Sequence, residues 1–93
     1  MQVAHLDADH ATVSDRLARV LARAVRAERA RAGLSQDVLA ERLGWSRQVV
    51  TSVETGTRRL NADELPELCA ALGVTLARLL TDADPADRAA LGL

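Results

Sequence analysis

Side chains able to do chemistry fall into a few groups along these 93 residues. His5, Asp7, Asp9 and His10 are metal-ligating types close together near the start of the chain. Nothing nearby supplies outer partners to orient them, so solvated side chains and no metal site are expected. Cys69, the one cysteine, sits among Leu65, Leu68 and Leu72 and reads as a core thiol in a reducing compartment. Ser35 and Ser46 each precede a helix-forming stretch, where a hydroxyl caps orphan amides instead of acting as a nucleophile, and neither histidine lies near them. No catalytic constellation results, so neither an enzyme nor a cofactor is expected. The remaining group is Arg47, Gln48, Thr51, Ser52 and Thr55, an almost uncharged hydrogen-bonding set with an arginine at its start. A solvated helix face more often carries Glu and Lys pairs. Arginine can pair with guanine O6 and N7, and glutamine with adenine N6 and N7, so this set suits the reading of base edges.

These residues need a helix to hold them. Gly33, Gly44, Gly56 and Gly73 each follow a run of helix formers, and Ser35, Ser46, Asn61 and Thr75 supply start signals between them. Thr12 followed by Asp15 offers a capping box for the first helix. Five helices are predicted, about 13–32, 36–43, 47–55, 62–72 and 75–81, with no sheet. Their apolar faces are Leu17, Leu21, Ala24, Val25 and Ala32; Val38, Leu39 and Leu43; Leu65, Leu68, Cys69 and Leu72; and Leu76, Leu79 and Leu80. Pro66 requires the fourth helix to start late or to open with an irregular turn. Residues 1–11 read as a flexible arm, 12–81 as the folded domain, and 82–93 as a polar tail in which Asp84 and Pro85 can start a short helix. The helices 36–43 and 47–55 are joined by Gly44, Trp45 and Ser46, the connection of a helix-turn-helix. At about 100° per residue, Val50 and Val53 face the core while Gln48, Thr51, Ser52 and Thr55 face away from it.

Composition agrees with an all-α chain. There is no Phe or Tyr and only one Trp, so the interior must be built from Leu, Val and Ala, which enter helices at little cost. The length excludes a multidomain enzyme. No signal peptide and no run long enough to span a membrane is evident, and a cytoplasmic protein is expected. The formal net charge of -1 argues at first against nucleic acid, yet it averages a basic front, +4 over residues 14–34, and an acidic back, -4 over residues 62–93. Arg16, Arg19, Arg23 and Arg26 form a stripe along the first helix that reads as a solvated face. It could instead meet the acidic segment 62–67 or a neighbouring subunit's tail, with contact to DNA phosphates the less favoured alternative. Val13, Leu17 and Val20 have no evident partner in a five-helix core and are expected to pack on the tail or on a second subunit.

Residues 25–80 resemble the Xre/Cro family of helix-turn-helix repressors. The matching positions are Val25, Arg26, Arg29, Gly33, Leu34, Ser35, Gln36, Leu39, Ala40, Leu43, Gly44, Ser46, Val50, Val53, Glu54, Gly56, Leu68, Ala71, Leu72, Gly73 and Val74. The resemblance implies a compact five-helix lambda-repressor-like fold binding double-stranded operator DNA, usually as a two-fold dimer. It places Arg47, Gln48 and Ser52 on base edges with Thr51 as a further contact, and Val49 near a thymine methyl. Gln36 and Ser46 fall on phosphates, and Thr55, Arg58 and Arg59 on the DNA backbone. It makes Arg29 and Glu54 a structural ion pair, and Arg29 lies on the apolar face of its helix, which independently asks for a partner. Leu60, Trp45 and Val49 depart from the family pattern. The expected function is a DNA-binding transcriptional regulator, a repressor acting as a homodimer through residues 74–93, with the early part of the first helix as an added contact. The alternatives are an antitoxin that also covers a toxin and a protein-interaction module that no longer touches DNA.

Overall fold

Thr12 opens the fold: its hydroxyl accepts from the Asp15 N–H at 3.0 Å while the Asp15 carboxylate accepts from the Thr12 N–H at 3.2 Å. The computed structural model describes residues 12–81 and 83–93. The 1–11 arm, with His5, Asp7, Asp9 and His10, lies outside the described residues. In chain order the helices are α1 (Val13–Arg31), α2 (Gln36–Leu43), α3 (Arg47–Thr55), α4 (Leu65–Leu72), α5 (Leu76–Thr81) and α6 (Pro85–Leu91), with no strand among the described residues. None of these helices is long and apolar enough to cross a membrane.

The core is aliphatic. Leu39, Leu68, Leu79, Val25 and Val50 are fully buried, one from each of α1 to α5, and Leu21, Ala24, Ala40, Val53, Cys69, Ala71 and Leu72 complete the cluster. Shortening any of the three leucines to alanine would cost about 2–5 kcal/mol through lost transfer energy and the cavity left behind. Burial pushes the Cys69 thiol up from its ordinary value, as for an inert core cysteine.

Of three local details, the exposure of Val38 and Leu76 departs from the sequence expectation, while the turn before the fourth helix and the last helix are ones it allowed. The fourth helix is preceded by a 3-10 turn, Ala62–Glu64, and Pro66 sits in the first turn of α4, where its missing N–H costs nothing. Val38 and Leu76 are exposed, at 38% and 45%, because α2 turns Leu39 and Ala40 inward and α5 turns Leu79 inward, leaving their neighbours facing solvent. A sixth helix closes the chain. Asp84 caps it by accepting from the Asp87 N–H at 2.8 Å, and Pro85 presets its first residue.

Helix α6 is held against α1 by Asp87. This carboxylate is 5% exposed and accepts from Arg16 Nη1 at 3.1 Å and Arg23 Nη2 at 3.2 Å. Arginines seven positions apart lie two turns along one helix face, so one acid engages both. Two members of the Arg stripe therefore meet the end of their own chain. Val20, beneath them, is buried, while Val13 remains 60% exposed. Replacing Asp87 by alanine removes both bonds but leaves arginines that can reach water, so a loss of about 1–2 kcal/mol is expected in urea denaturation. An unchanged midpoint would show that α6 is held by its apolar contacts alone.

Candidate nucleic-acid interface

The chain reverses between α2 and α3 in three residues. Gly44 has φ 70°, a left-handed conformation that strains any residue with a β-carbon, and the Trp45 N–H reaches back to the Ala40 carbonyl at 2.9 Å. Ser46 then caps α3, its hydroxyl oxygen accepting from the Val49 N–H at 3.2 Å. That hydroxyl keeps its own proton for another acceptor. Val50, Val53 and Glu54 bury the inner side of α3. Arg47, Gln48 and Thr55 are exposed on the outer side, with Val49, Thr51 and Ser52 half-buried between. The Gln48 and Ser52 side chains have no hydrogen-bond partner among the described residues. Arg47 lies 3.8 Å from Asp37, and both are largely exposed, so this pair is weak and easily exchanged.

Behind this face a polar network joins three helices. The Glu54 carboxylate, its side chain 3% exposed, accepts from Arg29 Nε at 2.5 Å, Arg29 Nη2 at 3.0 Å and Gln36 Nε2 at 3.0 Å. Arg29 also donates to the Leu34 carbonyl at 2.8 Å. The bond to Glu54 raises the Arg29 guanidinium above its ordinary value. Thr51 Oγ1 donates to Gln36 Oε1 at 2.9 Å, closing the path from α3 back to the start of α2.

The arginines after α3 are engaged within the protein. Arg58 lies over the Trp45 ring, 5.1 Å from its centroid, and forks onto Glu64 with bonds of 2.8 and 3.2 Å. Glu64 is held below the usual carboxylate range by Arg58 and then by the Asn61 N–H. Arg59 pairs with Asp15 at the start of α1. Thr55 donates to the Ser52 carbonyl at 3.2 Å.

A search of curated proteins matches none of them. The sequence pattern of the helix-turn-helix family matches residues 25–79, more than half of the chain. The chain belongs to the helix-turn-helix family, in its Xre and lambda-repressor-like branch. Among solved structures it is similar to the clp gene regulator ClgR from C. glutamicum, at 31% identity and a TM-score of 0.68, covering 72% of this chain and 87% of that one.

Within that helix-turn-helix the structure brings Arg47, Gln48 and Ser52 to one face and sets Ser46 and Gln36 at the starts of α3 and α2. Thr51 points its proton at Gln36, and Arg58 and Arg59 sit in ion pairs. Sequence reasoning missed the partners of these groups. Glu64 stands three residues after Asn61, a spacing that signals a capping box but not a bond to Arg58. Glu28, 4% exposed, was also missed; it accepts from Arg78 at 3.0 Å and pairs with Arg31. Burial opposes its ionisation, but the bonds from Arg78 and Arg31 outweigh that and hold its carboxyl below the usual range. No local pattern announces the approach of α5 to α1.

Two measurements test this arrangement. Glu54→Ala would strand Arg29 with most of its side chain buried, and a loss of about 3–5 kcal/mol is expected in urea denaturation; a loss under about 1 kcal/mol would mean the pair is solvated. Asp15 is lowered from 3.8 to about 2, chiefly by Arg59 and then by Thr12. A depressed carboxylate adds stability above its unfolded value that is lost as pH falls from near 3.8 through about 2. An NMR titration should therefore place Asp15 near 2, and Arg59→Ala should move it up towards 3.8. No movement would remove Arg59 as the cause.

Proposed function

We propose that this helix-turn-helix protein is a sequence-specific transcriptional repressor, laying α3 in the major groove of a pseudo-palindromic operator as a homodimer in the cytoplasm. The observation that carries the reading is the outer face of α3. Among the described residues Gln48 and Ser52 have no side-chain hydrogen-bond partner, and they stand beside the lightly held Arg47 on a helix whose inner face is locked by Val50, Val53 and Glu54. Rigid presentation of free hydrogen-bonding groups is what direct readout of base edges requires. The similarity to a clp gene regulator supports a role in gene control.

Around that face, Gln36 and the Ser46 hydroxyl would hold phosphates, and Thr51 would lie beside the base readers. Thr55, Arg58 and Arg59 would contact the DNA backbone. For Arg58 and Arg59 the contact means exchanging Glu64 and Asp15 for phosphate, so their gain is a difference between two ion pairs. Attraction to DNA of any sequence is thereby reduced, and affinity depends more on the base contacts. A groove lined by Ala62, Leu65, Pro66, Cys69 and the exposed Leu76 supports an apolar contact between copies within or beside residues 74–93. Two copies related by a two-fold axis would set their α3 helices about 34 Å apart, in successive major grooves. Repression then needs only occupancy of the operator.

Selection from a random DNA library at two salt concentrations tests the reading. An enriched motif with two related halves is expected, and the absence of any motif and of any salt dependence would sink it. On the selected site, Gln48→Ala should cost about 1–3 kcal/mol and relax preference at one base position, whereas Arg58→Ala should weaken all sequences alike. An unchanged motif with Gln48→Ala would remove that residue from the reading set.

A further inference from the structure

Gln36 is fixed at both ends of its amide. Both oxygens of the Glu54 carboxylate accept from Arg29, and one also accepts from the Nε2 end of Gln36, 3.0 Å away; the reversed amide would set oxygen against oxygen. The other end, Oε1, receives the Thr51 hydroxyl at 2.9 Å. Two anchored atoms define the orientation of a planar amide, and one Nε2 proton is left over. Thr51 has a single hydroxyl proton, and it is spent on Gln36. Glu54 is itself immobilised by Arg29, so the chain of bonds ends on a rigid support.

We infer that Thr51 acts on DNA through Gln36: it is a positioning residue that aims the spare Gln36 N–H at a DNA phosphate, and it does not read a base. The inference rests on the DNA-binding reading of α2 and α3. A phosphate oxygen accepts from an amide that does not have to be reoriented, so affinity rises for every sequence equally. Base preference at the neighbouring position belongs to Gln48 and Ser52. Removing the hydroxyl leaves Gln36 free to rotate about its bond to Glu54.

Thr51→Val replaces the hydroxyl by a methyl of similar size at a half-buried position, and Thr51→Ser keeps the donor. In the free protein, the Gln36 side-chain amide protons should exchange with solvent faster in Thr51→Val than in the wild type or Thr51→Ser. On the selected operator Thr51→Val should weaken binding about three- to tenfold, the worth of one hydrogen bond, with the same loss on variant sites and an unchanged motif. Thr51→Ser should restore affinity. In a Gln36→Ala background Thr51→Val should have no further effect. Replacing single phosphates by neutral methylphosphonates should show one position whose penalty in the wild type disappears in Thr51→Val. A changed base preference in Thr51→Val would make Thr51 a base reader and overturn the inference. Multiplying penalties for Thr51→Val and Gln36→Ala would overturn it too, as would equal amide exchange in all three proteins. A wild-type protein that selects no DNA sequence would instead overturn the DNA reading, and the amide exchange, which needs no DNA, tells the two failures apart.

Discussion

The buried Glu54 carboxylate is the constraint around which the helix-turn-helix and the outer face of α3 are arranged. It sits in α3 but is satisfied from α1 by Arg29 and from α2 by Gln36, so the three helices share one polar node. A carboxylate so enclosed must be both paired and hydrogen-bonded, and its partners must arrive in one geometry. Apolar packing of Val25, Val50 and Leu39 brings the helices together, while the node sets how they are turned about their axes. That matters for the proposed role of α3, because a helix that is to read bases fails if its side chains are rotated off the groove. The same node places the Gln36 amide, which links the internal network to the surface.

Electrostatics elsewhere in the molecule follow a consistent pattern, in which arginines are answered by acids outside their own helix or turn. Arg58 finds Glu64, Arg59 finds Asp15, Arg78 finds Glu28, and Arg16 and Arg23 share Asp87. Arg16 and Arg23 join the basic front of the sequence to an acid of its acidic back, and Arg78 with Glu28 joins the two in the opposite sense. Much of the cationic surface is already engaged within the protein. Arg19 and Arg26, the other members of the stripe, make no ion pair among the described residues.

How much of this was legible in the sequence depends on the range of the interaction. The starts and stops of α2 and α3 were readable because Ser35, Ser46, Gly44 and Gly56 act within three or four residues of themselves. The Arg29 and Glu54 pair was expected from the family resemblance and from a charge on an apolar face. The fate of Gln36 and Thr51 was not readable, since a glutamine and a threonine fifteen positions apart carry no mark of facing each other. The partners Asp87 and Glu28 were hidden for the same reason: each bonds across a helix packing that only the folded chain defines. Val38 and Leu76 show the converse limit, because short helices bury a narrower stripe than their apolar residues suggest.

The position of Trp45 has a spectroscopic consequence. It is the single aromatic residue of the chain, and it lies in the turn between α2 and α3 with the Arg58 guanidinium over its ring. Ultraviolet fluorescence of the unlabelled protein therefore comes from one site and carries no background from other rings. A charged group beside an indole alters its emission, so any event that draws Arg58 away from Trp45 is visible at the point where the two halves of the helix-turn-helix join.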